Sequence, residues 1–342
     1  MTAKHLTVRC FKSWPILPSP PSWYVALAFV CWHLFTGNAS AAWPEKPVTL
    51  VVPFAAGGPT DTVARLLAGS MSKTLGKAVV VETRTGAGGT RASALAAAAP
   101  ANGYTFLIHH NGMATAGALY KKLDYDPLTS FDYVGQVLDV PMTIVGRRDL
   151  PPATMKELIA YLKTNNDKVN IGDAGPGAVS QLCAMLLRKS LDLALTSVPY
   201  QGTGPAMVAL EGGHVDLMCD QSTQTLSHIK SGRIKVYATT TRKRIAALPD
   251  TPTASESGLK DFEIMVWHGI YAPRGTPKEA LDKFGAALKA ALKDPDLVKR
   301  VVEFGGQIVP EAKQTPEGLR DWLKAEIDKW TPIIRASGAY IE

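Results

Sequence analysis

The amino-acid sequence predicts an α/β protein built in two lobes, on three observations. Short apolar strands alternate with helical stretches between residues 48 and 239. About 300 residues follow an N-terminal leader, more than a single hydrophobic core commonly gathers. Two extended apolar segments, 133–147 and 262–273, read as lobe crossings rather than ordinary loops. Two crossings make one lobe an insertion in the other, with a ligand cleft between them.

In chain order, the first 42 residues read as an export signal. Lys4, Arg9 and Lys12 precede an apolar stretch at 24–35, and small residues follow at Ala39, Ser40, Ala41 and Ala42. That order marks a cleaved signal peptide, with the mature chain starting at Ala42 or Trp43. The stretch is shorter than the ~20 apolar residues a membrane span needs. Apolar runs at 48–52, 78–82, 104–108, 169–171, 216–219 and 234–239 then read as buried parallel strands. Helical stretches at 62–75, 92–99, 155–164, 179–190 and 205–211 lie between them and cover both faces of a mostly parallel sheet. Three helices end the chain at 277–293, 295–304 and 316–337. Pro277, Pro295 and Pro316 stand at or near their first turns, where a missing N–H is no loss.

Composition narrows the function. The formal charge of +7 falls to +4 once the leader, with three bases and no acid, is removed. No interleaved basic and aromatic run is present, which argues against a nucleic-acid partner. Cys10 and Cys31 leave with the leader. Cys183 sits in a helical pattern and Cys219 in an apolar strand, so both read as buried thiols, although an oxidising compartment allows them to pair.

The chemistry concentrates where strands run into glycine-rich helix starts. Val52-Pro53-Phe54-Ala55-Ala56-Gly57-Gly58-Pro59-Thr60-Asp61 is the first such junction, and Gly172-Asp173-Ala174-Gly175-Pro176-Gly177-Ala178-Val179-Ser180 the second. Glycines let a ligand approach the main chain, and the unpaired N–H groups of a helix start favour an anion. One cradle in each lobe points to a small acid held between them. Tyr200-Gln201-Gly202-Thr203 is a third junction of this kind. Neither cradle is a nucleotide motif, since the Gly-Lys-Ser/Thr of a phosphate loop is absent. His109 and His110 are adjacent in a strand and point to opposite faces, which disfavours a shared metal. No Gly-x-Ser-x-Gly elbow supports a hydrolase. A pairing of Cys219 with a histidine is the remaining catalytic option.

At these residues the chain resembles the Bug, or TctC-like, family of periplasmic solute-binding proteins, receptors of tripartite tricarboxylate transporters. The resemblance also rests on Pro44-x-x-Pro47, Gly86-Ala87-Gly88-Gly89, Asn102-Gly103-Tyr104-Thr105, Val198-Pro199-Tyr200-Gln201-Gly202 and Gly212-Gly213-His214-Val215-Asp216-Leu217-Met218. It implies a type II-like periplasmic-binding-protein fold, with lobe 1 over 43–142 and 267–342 and lobe 2 over 143–266. It further implies that backbone amides of two loops grip one ligand carboxylate with ordered water. Carried over by position, the first loop includes Phe54, Ala56, Gly57, Gly58 and Thr60, and the second Gly175, Gly177, Ala178, Val179 and Ser180. His109, Asn111, Tyr200, Gly202, Thr203, Asp220 and Gln221 would line the rest of the cleft.

Ala178 stands where many relatives carry Ser, Gln181 where His is frequent, and Arg91 where a small or apolar residue is usual. Arg91 reads as a surface side chain that can alternatively meet a second carboxylate. The expectation is a periplasmic, monomeric, non-catalytic receptor with no cofactor or metal, passing a di- or tricarboxylate, an aromatic acid or a similar ligand to membrane transporter subunits. The alternatives are a sensor input for a membrane kinase and a secreted enzyme.

Overall fold

The computed structural model describes residues 42–336 and Gly338; the predicted signal at 1–41 lies outside the described residues. The chain opens with β1 (Val48–Val52), whose valines and leucine pack inward, followed by α1 (Pro59–Leu75). Pro59 takes the first helical position, and Gly76, in the left-handed region at φ 66°, ends the helix by donating its N–H to the Ser72 carbonyl. Next come β2 (Val79–Thr83), a short 3₁₀ turn (Ala87–Gly89), α2 (Thr90–Ala97), β3 (Thr105–His110) and α3 (Gly112–Leu119). The seventeen-residue β4 (Phe131–Arg147) leads to α4 (Met155–Asn165), β5 (Asn170–Asp173), α5 (Val179–Leu191), β6 (Thr196–Pro199), α6 (Thr203–Glu211), β7 (Leu217–Gln221), α7 (Ser222–Lys230) and β8 (Ile234–Thr239). Then β9 (Met265–Pro273), α8 (Lys278–Ala291), α9 (Pro295–Glu303), β10 (Gln307–Ile308) and α10 (Pro316–Ala336) complete the fold.

The strand order is β2-β1-β3-β9-β4-β7-β5-β6, with β8 and β10 also on β4. β1 pairs in parallel with β2 and β3, and β5 in parallel with β6 and β7, so each half keeps the predicted parallel centre. β4 and β9 run antiparallel to their neighbours, and β8, read from the sequence as a parallel strand, instead pairs antiparallel with β4, as β10 does. Through Pro141, opposite Met265, β4 pairs with β9; from Met142 it pairs with β7 and β8 instead. Pro141 has no N–H to give a ladder, so it suits the point where β4 changes partners. Both predicted crossings are therefore strands, and β4 belongs to both sheets.

Apolar side chains join these layers. α1 packs on α8, and α10 on α3 and β4. Phe106 of β3 stacks on Phe284 of α8 at 3.7 Å between ring centroids, with Trp43 edge-on at 6.5 Å.

The cysteines correct the sequence reading. Cys183 of α5 and Cys219 of β7 form a disulfide, with Cα atoms 6.0 Å apart. Both are buried, as expected, but α5 lies on β7 and brings them face to face. Four strands and helices have no counterpart among those predicted: β6 is a short polar edge, β10 has two residues, α3 is rich in glycine and alanine, and the first turn of α7 carries only polar residues.

Candidate functional site

Four helices begin around one internal space. Gly58, Pro59 and Thr60 come from the start of α1, Ala178, Val179 and Ser180 from the start of α5, Thr203 from α6, and Gln221 immediately precedes α7. Strand ends fill the gaps: Phe54 follows β1, His110 ends β3, Ala174 follows β5, and Asp220 stands next to the end of β7. Met142 enters from β4 at its change of partner. Together they surround a small cavity of about 20 Å³, and no Lys or Arg is among its lining residues.

The loop amides are largely committed within their own loops. Gly57 donates its N–H to Asp61 Oδ2 at 2.9 Å, an oxygen that also accepts from Arg65 at 2.9 Å. In the second loop Gly175 donates to Asp173 Oδ1 at 2.7 Å, Gly177 to Gln181 Oε1 at 3.0 Å, and Ala174 to Ser180 Oγ at 2.9 Å. Gln181, noted above as a departure, thus holds the loop in place. The N–H groups of Thr60, Val179 and Ser180 have no partner among the described residues. They lie in the first turns of α1 and α5, where a helix leaves its donors unpaired and its dipole favours negative charge. Because Ser180 Oγ already accepts from Ala174, its own proton is free to donate. The cavity thus has a donor-rich side with no charged base.

Histidines add a fixed donor. Gly112 donates its N–H to His110 Nδ1 at 3.0 Å, and the His110 N–H goes to His109 Nδ1 at 2.8 Å. Both rings are therefore protonated at Nε2 when neutral. Phe54 stacks on the His110 ring at 4.6 Å and 18°. Burial pushes His109 and His268 down to about 3 and holds His110 well below the ordinary histidine value, with the neighbouring imidazoles adding to the effect on His110 and His268. All three are neutral at pH 7.

The other side accepts. Asp220 is 1% exposed, and among the described residues neither of its carboxyl oxygens, nor Gln221 Oε1, has a hydrogen-bond partner. Burial pushes Asp220 up to about 7, against the pull of the nearby Gln221 N–H and Thr203 hydroxyl. Thr203 Oγ1 itself donates to Gln224 Oε1 at 3.1 Å.

The two halves touch around this space. Ala55 N–H reaches the Gln201 carbonyl at 3.2 Å, Thr85 the Gln201 side chain at 2.8 Å, and Tyr120 the Pro176 carbonyl at 3.1 Å. Outside these contacts is a groove of about 570 Å³ bordered by Gly88, Gly175, Tyr200 and Gln201.

Comparison with known proteins gives this arrangement a family. The model of the tripartite tricarboxylate transporter family receptor, TctC, matches residues 63–339. The chain belongs to this family. Among solved structures, the periplasmic binding protein BugD is 48% identical, with a TM-score of 0.86 over 87% of this chain and 100% of BugD. MatC of Rhodopseudomonas palustris, solved with bound malate, is 39% identical, with a TM-score of 0.82 over 85% of this chain and all of MatC. Rpa4515 of R. palustris, solved with adipate, is 31% identical, with a TM-score of 0.83 over 87% of this chain and all of that one. These neighbours share the two-lobed α/β architecture.

In this TctC-family receptor the expected site residues fall into three groups. Phe54, Gly58, Thr60, Ala178, Val179, Ser180, Thr203, Asp220 and Gln221 line the inner cavity. Gly175 and Tyr200 border the outer groove. Ala56, Gly57, Gly177, Gly202, His109 and Asn111 line neither space: Ala56 and Gly57 are exposed and the other four are buried. Asn111 bridges to β9, donating to the Met265 carbonyl and accepting from Trp267 N–H, each at 3.1 Å. Arg91 is exposed in the first turn of α2 and lines neither space. Pro59 and His110, within the expected loop 54–60 and strand end 109–111, also line the cavity, and Met142 and Ala174 line it from outside the expected segments. Alternation along β3 shows that one of the paired histidines faces inward, but only the strand's register decides which. Among the described residues no helix is long and apolar enough to cross a membrane.

Proposed function

We propose that this protein is an exported, monomeric receptor that closes on a small dicarboxylate and delivers it to the membrane subunits of a tripartite tricarboxylate transporter. One observation carries the reading: unpaired helix-start N–H groups from both halves, Thr60 on one side and Val179 and Ser180 on the other, border one cavity whose lining has no basic side chain. Such donors hold a carboxylate without a counter-ion, each bond to a charged group contributing about 1.5–3 kcal/mol. The malate and adipate bound in related structures support a small dicarboxylate. The lobes are 43–142 with 267–342, and 143–266. Their hinge lies where β4 exchanges β9 for β7, beside Pro141 and Met142. Ligand leaves unchanged, so no catalytic residue is assigned.

Thermal-shift screening of di- and tricarboxylic, hydroxy, amino and aromatic acids tests the proposal. A ligand at 100 times its dissociation constant adds about 2.7 kcal/mol of stability. A diacid that raises the melting temperature, binds with one site per chain and is recovered intact supports the receptor. Turnover of that acid, or no response to any diacid, refutes it.

A further inference from the structure

Two features of the cavity are not accounted for by the grip on one carboxylate. Asp220 Oδ1, Oδ2 and Gln221 Oε1 are three buried acceptors without partners, grouped at the end of β7 and facing the same space. An ionised carboxylate in that position, with no hydrogen-bond partner in place and no basic residue in the lining, is poorly solvated, so it holds a proton up to about neutral pH and is open to taking one above it. The opposite side is already supplied with donors. The cavity is thus bipolar, and a ligand that fills it must offer a hydrogen to the Asp220 side or accept one from it.

Resting on the reading of the site as a dicarboxylate receptor, we propose that the ligand is captured together with one proton, shared between Asp220 and the ligand's distal carboxyl group. The first carboxylate takes the N–H groups of Thr60, Val179 and Ser180. The second faces Asp220, and two carboxylates in contact retain one proton between them. That proton comes from the solvent, and no bond other than O–H is made or broken.

The surrounding titratable groups leave Asp220 as the site. His110 is the other such side chain lining the cavity, and its Nδ1 already accepts the Gly112 N–H, so a second proton there would break that bond. Behind the lining, His109 on β3 and His268 on β9 are buried and neutral. Asp61 on α1 is paired with Arg65. Asp173 on β5 accepts from Ser197 and Gly175, and burial raises it too. No charged residue is among the causes that shift Asp220, which burial raises against the Gln221 N–H and the Thr203 hydroxyl. A ligand with an ammonium group at this end would bind ionised Asp220 with no proton uptake, so the two ligand classes give opposite results.

Calorimetry with malate, succinate and adipate, in two buffers of different protonation enthalpy at pH 8, measures the proton directly. The expected result is uptake of about one proton per bound diacid, and a dissociation constant that weakens about tenfold per pH unit between pH 7.5 and 9. Asp220→Asn, whose amide donates in place of the acid O–H, is expected to bind the same diacid with no proton uptake and no dependence on pH over that range. Diacid binding to the wild type without proton uptake overturns the proposal, as does a wild-type pH dependence that Asp220→Asn retains. Failure of every diacid to bind refutes the receptor reading instead. Infrared difference spectra of the ligand-free protein then decide Asp220 alone: a protonated carboxyl band at pH 6 that Asp220→Asn removes upholds a proton there, and absence of such a band overturns it.

Discussion

Ser180 works in two directions. Its oxygen accepts the Ala174 N–H at 2.9 Å, which fixes the loop before α5, and its proton and its backbone N–H remain for the cavity. Ser180→Ala removes the donor and leaves Ala174 unpaired. We expect diacid binding to weaken by about 10- to 100-fold, since a hydrogen bond to a charged group is worth about 1.5–3 kcal/mol. Calorimetry checks this, and unchanged affinity would show that the Ser180 hydroxyl does not touch the ligand. The buried histidines make a separate prediction about acid. His109, His110 and His268 have folded-state values far below the ordinary one, so below about pH 6.5 the unfolded chain binds three protons that the folded chain does not. Their contribution to stability is present above that value and is lost as pH falls. Asp220 works the other way: raised to about 7, it favours the folded state at low pH and loses that contribution as pH climbs from about 4 to 7. Near pH 5 the histidines outweigh it by about two protons, so unfolding free energy of the ligand-free protein should rise with pH between 4.5 and 6. Urea titrations that give a flat or falling profile there would contradict the neutral histidine cluster.

Elements explain both the success and the limits of the sequence reading. β1 and β8 were legible to the residue because Val48–Val52 and Ile234–Thr239 are apolar runs bounded by turns. The glycine junctions were legible because a strand meeting Gly-Gly-Pro has little else to become. What stayed hidden depends on packing between distant elements. The free amides are those of the first helical turns, not of the glycines: Gly57 at φ 78° gives its N–H to Asp61, and that pairing needs the folded turn. The disulfide required α5 to lie on β7. It closes a loop of 36 residues, for which chain entropy gives about 3–4 kcal/mol. Replacing both cysteines by Ala should therefore lower the melting temperature by roughly 10 °C, at about 2–4 °C per kcal/mol. Reduction of the wild type under native conditions should lower it similarly. A melting temperature unchanged by either treatment would show that the bond does not constrain the chain.

At the scale of the molecule, the proposed closure brings backbone against backbone. Gly88 has φ 59°, and a Cβ there would lie 1.6 Å from the Pro176 carbonyl oxygen across the cleft. Gly88→Ala is therefore compatible with parted lobes and not with this closed form. Small-angle scattering should show compaction of the wild type on adding saturating diacid and less compaction of the variant, with affinity weakened by more than about tenfold. Equal compaction and equal affinity would remove the Gly88–Pro176 contact from the account.

The central claim is that helix starts from both lobes hold a ligand carboxylate without a basic side chain. A crystal structure of the protein with a bound diacid tests it most directly. The account predicts one carboxylate within hydrogen-bond reach, directly or through one ordered water, of the N–H groups of Thr60 and of Val179 or Ser180, with the far end of the ligand beside Asp220. A carboxylate paired with a Lys or Arg side chain, or a diacid seated outside this cavity, would contradict it.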